Sequence, residues 1–88
     1  MAKYRILIKP SAIKELEAVS AKKDRQRIVR RIEGLADDPR PPGCRKLSGR
    51  EFYRLRQGRY RIVYGIQDQA LIVHVIKVGD RKDVYRSR

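Results

Sequence analysis

The run Tyr53-Arg54-Leu55-Arg56-Gln57-Gly58-Arg59-Tyr60-Arg61-Ile62-Val63-Tyr64 decides the fold of this 88-residue chain. Arginines alternate with apolar residues on both sides of its centre, which is the spacing of β-strands. Gly58 stands at the first position of a two-residue loop, where a type II′ turn needs a positive φ. The run therefore predicts a hairpin with these pairs: Arg56 with Arg61, Leu55 with Ile62, and Tyr53 with Tyr64.

The predicted hairpin has two unlike faces, because paired residues share a face and neighbouring residues alternate between faces. One face is apolar and consists of Tyr53, Leu55, Ile62 and Tyr64. The other face carries Arg54, Arg56 and Arg61. Like charges directly opposite each other cost about a few tenths of a kcal/mol. The basic face therefore indicates either an anionic ligand or a solvated outer face in a basic protein.

Two helices are predicted between a first strand and the hairpin. Residues 3–9 form the strand, which Pro10 ends. Residues 11–19 form a short helix with Ser11 as its N-cap, and its apolar stripe is Ile13, Leu16 and Val19. Residues 22–36 form a second helix, whose apolar positions recur at i, i+4 and i+7: Ile28, Ile32 and Leu35.

Three later strands, at residues 52–57, 60–66 and 71–77, predict an antiparallel meander. Asp68-Gln69 is interpreted as its second two-residue turn, which sets Leu71, Val73 and Val75 opposite Ile66, Tyr64 and Ile62. The first strand is expected beside one edge of this meander. A short strand or extended segment is expected around residues 83–86.

These elements predict an α+β fold with the order βααβββ(β). The chain is expected to be a single domain over residues 1–88. In this small sandwich, a mainly antiparallel twisted sheet carries two N-terminal helices on one face.

Composition narrows the class of partner. The formal net charge is +13, which points to nucleic acid, the ribosome or an acidic protein. No hydrophobic run approaches the roughly 20 residues of a membrane-spanning helix, and the N-terminus lacks the apolar region of a signal peptide. Cys44 is the only cysteine, so one chain cannot build a disulfide framework or a cysteine metal site. A cytoplasmic location is expected.

Four runs in the second half of the chain resemble a known family. They are Lys46-Leu47-Ser48-Gly49, Tyr53-Arg54-Leu55-Arg56, Gly58-Arg59-Tyr60-Arg61-Ile62-Val63-Tyr64 and Val78-Gly79-Asp80-Arg81-Lys82-Asp83-Val84-Tyr85. With the order of elements, they resemble the RelE branch of the RelE/ParE toxin superfamily over essentially the whole chain. The resemblance implies a type II toxin that is neutralised by an antitoxin and cleaves messenger RNA in the ribosomal A site.

The resemblance also implies roles for individual residues. Arg61, Arg81 and Tyr85 are expected to be catalytic, and Arg54, Arg56 and Lys46 to bind substrate. No cofactor and no metal are expected. The chain departs from the family pattern in three ways. Arginines replace the lysines of the best-known member, the interval from Arg81 to Tyr85 is shorter, and Asp80 stands where many relatives carry a histidine.

These residue types suit metal-independent cleavage, in which the 2′-OH attacks the adjacent phosphorus and leaves a 2′,3′-cyclic phosphate. Arginine binds phosphate and stays charged, so it stabilises charge but is a poor proton donor. Tyr85 is the best proton-transfer candidate, although its ordinary pKa of about 10 must be lowered by nearby guanidinium groups. His74, the only histidine, is the alternative. It is expected opposite Val63.

Two other functions remain open. One is a ParE-like inhibitor of DNA gyrase without ribonuclease activity. The other is a non-enzymatic nucleic-acid-binding protein, for which the positive charge alone suffices. An adjacent gene for a short acidic protein favours either toxin function over the third.

Overall fold

The structure is a computed structural model and describes residues 3–47, 49 and 51–80. The described residues form two helices and five strands. In chain order they are β1 (Arg5–Ile8), α1 (Pro10–Glu17), α2 (Lys22–Gly34), β2 (Arg45–Lys46), β3 (Phe52–Gln57), β4 (Tyr60–Gln67) and β5 (Ile72–Asp80).

All five strands belong to one sheet with the order β1-β5-β4-β3-β2. β1 is parallel to β5, and the other pairs are antiparallel. Both helices contribute buried residues to a core that they share with one face of this sheet. The predicted α+β class is therefore confirmed, as is the position of the first strand at one edge. β2 was not predicted, and the strand expected around residues 83–86 lies outside the described residues.

The β3–β4 hairpin has the predicted register. Arg56 pairs with Arg61, Leu55 with Ile62, and Tyr53 with Tyr64. Gly58 has a φ of 61°, while Arg59 does not have a positive φ. This combination is the one that a type II′ turn requires.

The predicted turn between β4 and β5 is wrong. The last pair is Gln67 with Ile72, so the loop has four residues, 68–71, and Leu71 takes a φ of 55°. A two-residue loop needs residues that readily adopt a positive φ, and neither Asp68 nor Gln69 is glycine or asparagine. The longer loop shifts the register by two residues, which leaves each side chain on its predicted face.

A β-bulge between β4 and β5 corrects the predicted pairs further. Tyr64 pairs with Val75, but Val63 pairs with Lys77, so Ile76 is the extra residue on β5. Ile62 consequently lies opposite Val78 instead of Val75. Because the bulge reverses the alternation along β5, Val75 and Val78 both face the core, and both are buried.

Both helices begin close to their predicted positions, but α1 is capped differently. Lys9 is its N-cap residue, without a side-chain cap, and Pro10 is its first residue, where proline's fixed φ suits a helix start. Ser11 is therefore not the cap. Of the predicted apolar stripe, Val19 is buried and Leu16 packs partly buried against the core. Ile13 is instead 41% exposed, and Ala12 is the fully buried residue of this turn.

The core lies between the helices and the inner face of the sheet. The predicted core residues of α2 are confirmed, since Ile28, Ile32 and Leu35 are all buried. The other fully or almost fully buried apolar residues of the described chain are Ala12, Val19, Leu55, Ile62, Tyr64, Val73, Val75 and Val78. Within residues 3–47, 49 and 51–80, no helix is long and apolar enough to cross a membrane.

Tyr64 ties the core to the loop that follows α2. Its buried hydroxyl donates to the backbone carbonyl of Pro39 at 2.8 Å and contacts Cys44 Sγ at 3.2 Å. Burial raises the pKa of the Tyr64 hydroxyl above its ordinary value, so the group remains a protonated donor. Its ring also stacks on Tyr53, with the ring centres 5.9 Å apart.

The same loop is held from outside by Arg40. Its guanidinium donates two hydrogen bonds to the Asp68 carboxylate, at 3.1 and 3.0 Å, and lies over the Tyr53 ring. Tyr4 Oη donates to the same carboxylate at 2.8 Å. The hydrogen bonds from Arg40 and Tyr4 hold the pKa of Asp68 below its usual value.

We expect Tyr64→Phe to lower the free energy of unfolding by about 1–3 kcal/mol, because it leaves the Pro39 carbonyl without its donor in a buried place. Tyr4→Phe is the matched control. It removes an exposed hydroxyl and should change stability by no more than about 0.5 kcal/mol. Denaturant unfolding of both variants measures the difference. Equal losses of stability in the two variants would show that the buried hydrogen bond contributes no more than the exposed one.

Candidate nucleic-acid interface

The outer face of the sheet, away from the helices, brings together a cluster of arginines. Arg54 pairs with Val63 and Arg56 with Arg61, so the three predicted arginines share this face. Arg61 is only 6% exposed, Arg54 is partly exposed and Arg56 is exposed. The cluster therefore combines one guanidinium held within the structure with others that are open to solvent.

A cavity of about 300 Å³ lies on this face. The described residues that line it are Gly43, Arg45, Arg54, Arg56 and Arg61. We call Arg45, Arg54, Arg56 and Arg61 the arginine cluster. Guanidinium groups around a concavity of this kind form a site for an anion with several oxygens, such as a phosphodiester.

Arg45 was missed in the sequence. It lies on β2, where it pairs with Arg54. β2 has only two residues, Arg45–Lys46, which is too short for alternation to be detected. The loop before it is held by the Tyr64 hydroxyl and by a backbone hydrogen bond of 3.0 Å from Cys44 N to Pro41 O. These contacts direct the chain into β2 and place Arg45 at the cavity.

Lys46 is on the other side of β2. It pairs with Tyr53 and is exposed, so it shares the face of Tyr53 and not that of the arginine cluster. Its substrate-binding role stays a prediction, and direct contact with an anion in the cavity requires the flexible side chain to reach around the edge of the sheet.

Arg81 and Tyr85 lie outside the described residues. The described chain ends at Asp80, whose carboxylate accepts from Arg59 Nε at 2.8 Å. Gly79 pairs with Arg61 and Asp80 with Tyr60, so β5 reaches the row of the sheet that holds Arg56 and Arg61.

β5 is fixed near this end by a contact with α1. The Glu15 carboxylate accepts from Val78 N and from Lys77 Nζ, each at 2.9 Å. Both donors directly follow the bulge at Ile76. Glu15 therefore secures the part of β5 that leads toward Arg61.

His74 lies far from the arginine cluster. It is opposite Gly65 on β4 and Leu7 on β1, not opposite Val63 as predicted, because the longer loop after β4 shifts the register. It is exposed on the same sheet face as Arg61. Gly65 is four positions along β4 from Arg61, a distance of about 13 Å at about 3.3 Å per residue. His74 and the cavity therefore do not form one compact site.

No group of three or more His, Cys, Asp or Glu in the described part of the chain is arranged to hold a metal ion. The arginines that line the cavity supply positive charge and hydrogen-bond donors.

Comparison with known proteins identifies the family. A family model of the ParE toxin of the type II toxin–antitoxin system parDE matches residues 6–85. The chain belongs to the RelE/ParE toxin superfamily. An Escherichia coli protein provisionally named as RelE-like is 29% identical to this toxin over 87 residues, which cover 94% of this chain and 90% of the relative.

Two solved structures show the same fold. A chain of the intact Escherichia coli RelBE toxin–antitoxin complex is 29% identical to the toxin, with a TM-score of 0.73, and the match covers 88% of the toxin and 95% of that chain. A chain of the RelBE2 toxin–antitoxin complex of Mycobacterium tuberculosis is 21% identical, with a TM-score of 0.78 and coverage of 90% and 99%. The second likeness concerns the fold alone.

We expect Arg56→Gln to weaken anion binding without lowering the stability of the fold. Removing one charge of the Arg56–Arg61 pair should leave the toxin as stable or up to about 1 kcal/mol more stable at low salt. It should also reduce the rise in melting temperature that added tripolyphosphate produces. Lys14→Gln, on the exposed surface of α1, is the control and should keep that rise. Equal responses of the two variants would show that tripolyphosphate does not bind at the arginine cluster.

Proposed function

We propose that this toxin is a ribosome-dependent endoribonuclease that cleaves messenger RNA in the ribosomal A site and so inhibits translation and growth. The supporting observation is the arginine cluster around one cavity on a rigid sheet. Positive charge that is fixed before the substrate arrives stabilises developing phosphate charge without a cost of reorganisation. A protein that only binds nucleic acid requires the charge but not its convergence on one cavity.

The proposed reaction is a transesterification. The 2′ oxygen forms a bond to the adjacent phosphorus, the bond from phosphorus to the 5′ oxygen breaks, and a 2′,3′-cyclic phosphate remains. Tyr85, as the phenolate, accepts the proton of the 2′-OH, and the departing 5′ oxygen takes up a proton from water or from a ribosomal group. Nearby guanidinium groups favour the phenolate, because an adjacent positive charge lowers the pKa of an acid.

In this proposal the arginines have different roles in phosphate binding and charge stabilisation. Arg61, buried and therefore restrained, holds the scissile phosphate, and Arg81 stabilises the charge that develops on it. Arg81 is two residues along the chain from Gly79, which pairs with Arg61. Arg54, Arg56 and Arg45 bind the flanking backbone, and Lys46 adds a cation at the edge of the sheet. Tyrosine and arginine are weak general acids and bases, so the ribosome is required to set the attack geometry.

Tyr85→Phe should reduce cleavage by about 10²–10⁴-fold, since it removes the hydroxyl and keeps the ring. Arg81→Ala should have an effect of similar size, because it removes a charge that stabilises the transition state. Lys82→Ala is the control and should change little. Single-turnover cleavage on programmed ribosomes, with thermal unfolding of each variant, measures these effects. Near wild-type cleavage by Tyr85→Phe would reassign the base to a ribosomal group.

Inhibition of DNA gyrase is the second candidate function, and the match to the ParE family model over residues 6–85 favours it. Both functions predict growth arrest, so toxicity alone does not separate them. Supercoiling by purified gyrase in the presence of the toxin does. Inhibited supercoiling without any cleavage of ribosome-bound message would replace the ribonuclease proposal.

The proposed partner is an acidic antitoxin encoded by an adjacent gene. The net charge of +13 favours an acidic chain, and the solved Escherichia coli RelBE complex pairs a chain that is 29% identical to this toxin with an antitoxin. The helices also leave an open groove of about 490 Å³. Its apolar lining is Ile13, Leu16 and Val29, and charged residues of both signs surround it. An amphipathic antitoxin helix suits this groove.

Co-expression with the adjacent gene should therefore yield a stable complex of the two proteins. Ile13→Glu places a charge in the groove and should weaken the complex by at least about 10-fold, the equivalent of about 1.4 kcal/mol. Ala70→Glu, in the exposed β4–β5 loop, is the control for the added charge. A toxin that purifies alone, or equal effects of the two variants, would contradict this mode of binding.

A further inference from the structure

Phe52 lies on the outer face of the sheet beside the arginine cluster. It is two residues before Arg54 on β3, so the two side chains share a face, at a separation of about 7 Å along the strand. Phe52 pairs with Gly65, and its ring contacts that glycine closely. A Cβ on Gly65 would lie 3.3 Å from Cδ1 and 3.4 Å from Cε1 of the ring.

The ring remains partly exposed in this position. Phe52 lies on the outer face of the sheet, whereas Tyr53 and Tyr64 lie on the inner face and pack in or against the core. The Phe52 ring therefore does not belong to the core. Gly65 leaves room for it, since any side chain on that residue would press against the ring. The sheet thus presents an aromatic ring beside the cavity that the arginine cluster lines.

Aromatic rings on exposed sheet faces are a general means of binding unpaired bases, because every base has a π-face that can stack. Guanidinium groups next to such a ring hold the backbone of the same nucleotide or of its neighbour. Phe52 and Arg54 supply these two elements in adjacent positions of one face.

We propose that Phe52 stacks on a base of the bound RNA while the arginine cluster holds the adjacent phosphate. This inference rests on the proposed function, because it adds a contact with a base to the phosphate contact that the proposed function gives the RNA substrate. Phe52 contributes to substrate binding and takes no part in proton transfer. Phe52→Ala should therefore weaken RNA binding by roughly 5- to 150-fold, and Phe52→Tyr should restore most of it.

The absence of tryptophan from the sequence allows a direct test. Phe52→Trp introduces one tryptophan, whose fluorescence a stacked base should quench. The ligands are a trinucleotide RNA and tripolyphosphate, which occupies guanidinium sites but has no base. Leu7→Trp is the matched control, because Leu7 is 41% exposed and lies in the same row of the sheet, three strands away from Phe52.

We expect the RNA to quench Phe52→Trp strongly, tripolyphosphate to quench it little, and Leu7→Trp to respond to neither. Equal quenching by both ligands, an equal response of Leu7→Trp, or wild-type RNA affinity of Phe52→Ala would each overturn the proposal. So would a loss of antitoxin binding by Phe52→Ala with RNA binding intact, which would assign the ring to a protein contact.

The fluorescence test measures binding and requires no cleavage, so its failure can be distinguished from failure of the proposed ribonuclease function. Absence of cleavage on programmed ribosomes by the wild-type toxin would refute the ribonuclease proposal, whatever the fluorescence shows. Unchanged RNA binding by Phe52→Ala, with wild-type cleavage retained, would refute stacking alone.

Discussion

The register of the β3–β4 hairpin is the constraint on which the rest of the structure depends. It sets Arg56 opposite Arg61, a like-charge pair that costs about 0.2–1 kcal/mol. The same register buries Leu55, Ile62 and Tyr64, and each large apolar side chain contributes about 1.5–3 kcal/mol when fully buried. A slip of one residue would exchange the two faces. Burial therefore fixes the register, and the arginines are held together as its consequence.

Tyr64 connects the core with the arginine cluster. Its ring belongs to the inner face, while its hydroxyl holds the loop at Pro39 and contacts Cys44. Arg45 is the next residue, and its pairing with Arg54 brings it to the cavity. The bidentate contact of Arg40 with Asp68 fixes the same loop to the β4–β5 connection. A site on one side of the sheet is thus positioned by packing on the other.

Features with a clear period or a specific turn residue were predictable from the sequence. The strand alternation and Gly58 define the hairpin, and the spacing of Ile28, Ile32 and Leu35 defines the buried side of α2. The four-residue loop and the bulge at Ile76 were not predictable in this way. Both shift pairing while keeping apolar residues inside, so the pattern of hydrophobicity does not distinguish them from a regular ladder. Arg45 was missed because a strand of two residues has no period.

The composition of the site limits how the proposed chemistry is divided between the toxin and the ribosome. Arginine keeps its charge at any working pH, so in the proposed reaction the arginine cluster binds phosphate and stabilises charge but is not a general acid. The exposed His74 on β5 pairs with Gly65, which is too far along β4 from Arg61 for the imidazole to act as one at the cavity. Proton transfer in this proposal thus falls to Tyr85 and to groups outside the toxin. A protein with strong phosphate contacts and a weak acid–base group binds free RNA without cutting it efficiently. Dependence on the ribosome is, on this view, a consequence of which residue types surround the cavity.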